Sequence, residues 1–73
     1  LDIQTKMRLN QTVLDVLSVE HLLKQQKIEK AKALKDLNKA FDVLVDIRDA
    51  NPDEPIHGYV ERVFDHISKL TMH

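Results

Sequence analysis

The 73-residue chain has no cysteine, one glycine, two prolines and only three aromatic residues. Without cysteine there is no disulfide and no thiolate metal site. That absence fits a reducing compartment, and a cytoplasmic location is expected from it. A single glycine leaves no glycine-rich loop to cradle a phosphate. No run of about 18 apolar residues is present to span a membrane. The opening Leu1-Asp2-Ile3-Gln4 lacks the basic and apolar segments of a signal peptide. Leu1 in place of Met marks either a piece of a longer protein or a trimmed start. The formal net charge is only −1, which disfavours a dedicated nucleic-acid binder.

What is present reads as a small globular domain. Apolar residues make up 42% and charged residues 32% of the chain, too apolar for a disordered tail. A chain this short buries only about 60% of the surface its unfolded form exposes. Small domains usually add a disulfide, a metal or a partner subunit, and here a partner subunit is the expected supplement.

Residues 1–50 contain neither glycine nor proline. The one cluster of turn residues is Asp49-Ala50-Asn51-Pro52-Asp53-Glu54-Pro55. Proline lacks a backbone donor and clashes with the preceding turn, so a helix ends near Ala50. Asn51 or Asp53 is placed to cap the next helix, with Pro55 in its first turn. In that helix Ile56, Val60, Val63, Ile67 and Leu70 recur at steps of four and three, and Tyr59 and Phe64 widen the stripe. Gly58 within it signals either a frayed first turn or a close approach to a neighbour. In the middle helix Ala33, Leu37, Ala40, Leu44 and Ile47 form one arc together with Leu34, Phe41 and Val45. Its opposite face changes from lysine to aspartate halfway along.

The first helix is unusually apolar. Ile3, Met7, Leu14 and Leu17 form one seam, with Asn10 in register. Leu9, Val13, Val16 and Leu23 form a second, adjacent seam. Together they exceed the width of one bundle contact, so the helix packs on two sides. The polar quartet Lys24-Gln25-Gln26-Lys27 is the expected break between the first two helices, and Ser18 offers a second break point. Breaking at the quartet gives helices at about 2–24, 28–50 and 55–71, an up-down-up all-α bundle. Without a break, one helix of about 50 residues would run some 75 Å and need a partner chain.

Sites for chemistry are weak. His57, Glu61 and Asp65 share a helix face, but they lack the paired histidines of a helical zinc site. The acidic turn at 49–54 lacks the alternating ligands and central glycine of a calcium loop. His21 and His66 lie near apolar seams, with no carboxylate fixed beside them by spacing. No cofactor is implied, and no nucleophile is paired with a base in a recognisable local signature. Six lysines between Lys24 and Lys39 outnumber two acids there, a local net +4. Lys24, Lys27, Lys35 and Lys39 could meet phosphates. Base reading needs more than Gln25, Gln26 and Asn38, because no arginine or aromatic is interleaved among them.

The sequence therefore points to a non-catalytic helical module for protein–protein contact, regulatory in kind. Its partner is a second copy or another helical protein, and its expected contact residues are Leu9, Val13, Val16 and Leu23. The alternative is a small nucleic-acid-binding regulator using the Lys24–Lys39 segment.

Overall fold

The computed structural model describes residues 1–72; His73, the last residue of the expected domain, lies outside them. Three helices follow one another: α1 (Ile3–Lys24), α2 (Lys30–Ala50) and α3 (His57–Thr71). The described residues contain no strand. This is the expected all-α bundle, measuring 36 × 21 × 15 Å. Each helix starts one or two residues later than the sequence signals suggest, the ordinary scatter of helix ends. No helix among the described residues is long and apolar enough to cross a membrane.

The helix ends show why the chain turns where it does. Asp2 caps α1, its carboxylate accepting from the backbone N–H of Thr5 at 2.7 Å. Bonds from the side chain and backbone of Thr5 hold the Asp2 carboxyl below its ordinary pKa. Its contribution to stability is therefore full above the ordinary aspartate value and is lost as pH falls through the lowered one. Ser18 lies within α1 and breaks nothing.

At the other end the Lys27 N–H donates to Leu22 O at 2.9 Å and the Gln26 N–H to Leu23 O at 3.1 Å. These two bonds form a Schellman closure. It requires a left-handed residue, and Gln26 supplies it at φ 56°. The polar quartet is thus a true helix stop, built on a residue that pays a Cβ penalty glycine would avoid.

Asn51 closes α2 instead of opening α3. Its Nδ2 donates to Ile47 O at 2.9 Å, and its backbone N–H donates to Arg48 O at 3.2 Å. Neither Asn51 nor Asp53 caps α3; that position falls to Ile56, which makes no side-chain capping bond. Ile56 is buried, so the entry to α3 is fixed by an apolar plug. Gly58 is not a point of close approach, since a Cβ there would meet no atom within 4 Å.

The core forms around α2, which packs against both other helices. Ala33, Leu37, Ala40, Leu44 and Ile47 form its buried stripe. Val16 and Val19 from α1 and Ile56, Val60 and Val63 from the α3 side complete the buried set. Leu34, Phe41 and Val45 belong to the wider arc but are only half-buried. Phe41 lies on the α3 flank, its ring centroid 6.2 Å from that of Phe64.

Three stability changes follow. Gln26→Gly removes the left-handed penalty and should raise unfolding free energy by about 1 kcal/mol in urea titration. Gly58→Ala fills open space at a helical position and should add roughly 0.5–1 kcal/mol. Leu44→Ala empties the centre of the α2 stripe and should cost about 2–5 kcal/mol, a large share of what a domain this small holds.

Candidate interaction surface

The two apolar seams of α1 have different fates. Val16 is buried, and Thr12 and Val19, one turn to either side, are buried with it. Leu9 and Leu23 are half-buried and pack against the core, and Val13 is half-buried beside them. The residues expected to meet an outside partner therefore lie on the inward side of α1. The other seam remains uncovered: Ile3 is 76%, Met7 66%, Leu14 57% and Leu17 41% exposed.

The buried stripe of α2 carries Ala33 and Ala40, small residues that let a neighbouring helix come close. The buried valines and threonine of α1 have few rotamers to lose. The Thr12 hydroxyl donates to Arg8 O at 2.8 Å, so the one buried polar residue is satisfied. Met7 and Leu14, neither of them branched at Cβ, are left outside. Ile3, Met7, Asn10, Leu14, Leu17 and His21 then recur at steps of four and three along the outer face, the spacing of a seam against another helix.

The seam continues toward α3. Val13 and Leu17 border a small depression between the two helices, together with Tyr59 and Arg62. Val16, Leu44 and Val63 line it as well. Tyr59 is 43% exposed, so the apolar surface extends past α1.

A polar clasp ties α1 to α3 beside this depression. Glu20 accepts from Arg62 Nε at 3.2 Å and from Arg62 Nη2 at 3.0 Å. His66 Nε2 lies 2.8 Å from Oε1 of the same carboxylate, the oxygen that also accepts from Arg62 Nε. The Glu20 side chain is only 12% exposed, and the two-pronged arginine contact gives the clasp geometric specificity. This is the carboxylate partner of His66, and it comes from a helix 42 residues away in sequence from Arg62. No local spacing announces it.

The other candidates do not assemble into a site. His57 Nε2 pairs with Glu61 at 2.9 Å, whereas Asp65 turns to Lys69 at 2.9 Å. The three groups are thus split between two exposed pairs. No metal-holding cluster of three such groups occurs among the described residues. His21 is exposed on the outer seam.

Lys24 and Lys27 stand at the α1–α2 turn, while Lys35 and Lys39 project from α2, all four exposed. Lys39 shares the rim of an open cleft of about 330 Å³ between α1 and α2 with Asp15 and Asp36. Those carboxylates weaken the local attraction for an anion. Lys32 is held by Asp36 at 3.3 Å.

The clasp makes a measurable claim. A double-mutant cycle with Glu20→Gln and Arg62→Gln should give a coupling of about 1 kcal/mol, as for a partly exposed charged pair. The coupling should shrink in high salt; a value near zero at low salt would mean the contact does not join the helices.

No protein-family model, curated protein or solved structure matches this chain, so the functional reading rests on its own surfaces.

Proposed function

We propose that the chain is a non-catalytic interaction module that self-associates through the outer seam of α1. The observation carrying this reading is the exposure of Ile3, Met7, Leu14 and Leu17 on one helix face. Isolated apolar residues on a surface are ordinary, but a contiguous apolar strip marks a place of contact. The heptad-like spacing suits a helix as the other half of that contact. Ile3 to Leu17 spans about 21 Å of helix, four turns of seam interrupted by Asn10. One seam of this length falls below the roughly 800 Å² per partner of a standard interface, so a weak association is expected, detectable at roughly tens to hundreds of micromolar.

The test separates the two seams. Met7→Lys with Leu14→Lys changes only exposed positions and should leave unfolding free energy within about 0.5 kcal/mol of the parent. Sedimentation equilibrium at increasing concentration should show the parent associating and this variant remaining monomeric. A parent that stays monomeric up to hundreds of micromolar would contradict self-association.

A further inference from the structure

We infer that the second copy docks on α1 antiparallel, related by a two-fold axis, with the basic end of one bundle beside the acidic end of the other. This rests on the self-association reading above and adds the geometry of the partner.

The charge layout carries the inference. The up-down-up path gathers the end of α1, the first turn and the start of α2 at one end of the bundle. Exposed Lys24, Lys27 and Lys30 stand there, offset by Glu29. The other end gathers the start of α1, the end of α2 and the second turn. Asp2, Asp49, Asp53 and Glu54 stand there, offset by Arg48, which pairs with Asp49 at 3.4 Å, by the Leu1 ammonium, which pairs with Glu54 at 3.4 Å, and by Lys6. The lysine segment and the aspartates that succeed it along the sequence are thus separated in space, and each molecule has a positive and a negative pole.

The seam reads equally well in both directions, and one register overlaps all of it. Centring a two-fold at the level of Thr12 places Ile3 opposite the second copy's His21, Met7 opposite its Leu17, and Asn10 opposite its Leu14. A knobs-into-holes helix pair builds its layers from residues at this spacing. The same register sets Lys24 beside the second copy's Asp2. The row on the other flank, Gln4, Gln11 and Ser18, is uncharged and opposes nothing.

A parallel pair has the opposite character. It sets Lys24 against Lys24 and Asp2 against Asp2, and stacks the like-charged poles of both bundles. Complementary charges select orientation more than they supply affinity, and like charges brought together act against the wrong arrangement. The apolar seam holds the copies together and the poles decide which way round they lie. A two-fold contact also closes on itself, giving a dimer and not a filament.

The chain has no cysteine, so single nitroxide labels can be placed cleanly. Gln25→Cys and Gln11→Cys both lie on exposed residues of the α1 surface. In the antiparallel dimer the Gln25 positions are separated by about 40 Å along the axis, at 1.5 Å per residue. The Gln11 positions lie near the two-fold, with helix axes about 8–10 Å apart. Pulsed electron–electron distance measurement should therefore return a long distance for the Gln25 label and a short one for the Gln11 label. The dimer should also weaken as sodium chloride rises, because the attraction between poles is screened. Two short distances, or association that strengthens with salt, would overturn the antiparallel arrangement and leave self-association standing. No coupling between labels at hundreds of micromolar would overturn both.

Discussion

Everything in this bundle leans on one stripe of α2. Ala33, Leu37, Ala40, Leu44 and Ile47 are the inward residues of the only helix that packs against both others. Large residues at 37 and 44 fill the centre, and alanines at 33 and 40 leave room at the flanks. The stripe therefore dictates what its neighbours present to it. From α1 it takes Thr12, Val16 and Val19; from the α3 side it takes Ile56, Val60 and Val63. All six are β-branched, stiff side chains with little rotamer freedom to lose. Leu9 and Leu23 pack at the edge of that core, while Ile3, Met7, Leu14 and Leu17 on the opposite face of α1 become surface.

That constraint links fold to function. A domain of this size has little core to spare, and leaving Met7 and Leu14 in water gains it nothing as an isolated unit. Their exposure makes physical sense when a second surface covers them. The Glu20–Arg62–His66 clasp has a supporting part in this. It fixes the angle between α1 and α3 where those helices have little apolar contact of their own, so the outer seam and Tyr59 are presented in a set relation. In the proposed dimer the segregation of lysine and aspartate to opposite ends would act at longer range, on the orientation of the second copy.

Much of the architecture was legible in the sequence because it is written in local signals. The absence of glycine and proline through residue 50 and the proline pair at 52 and 55 marked the second turn, and the polar quartet at 24–27 marked the first. The steps of four and three placed Ile56, Val60 and Val63 in the core and Ile67 and Leu70 at its edge, while Tyr59 and Phe64, which widen that stripe, are exposed. Surplus apolar surface on α1 was also visible, but not which seam would be surplus. Hydrophobicity alone ranks leucine and methionine as core; which face of α1 is buried is set by its packing on another helix. Asn51 was read as a start signal and serves as a stop, since either role asks for the same side chain. The clasp at Glu20 was invisible because its members are distant in sequence and meet only once the three helices are arranged.

The claim on which this account stands is that Val16 and Val19 face inward while Met7 and Leu14 face solvent. Methyl NMR of the dilute monomer with a soluble paramagnetic agent measures it directly. The Met7 and Leu14 methyls should relax strongly, and the Val16 and Val19 methyls should be shielded to the level of Leu37 and Leu44. Strong relaxation at Val16 together with shielding at Leu14 would mean that α1 is turned the other way, and the outer seam would no longer be the surface that this molecule offers to others.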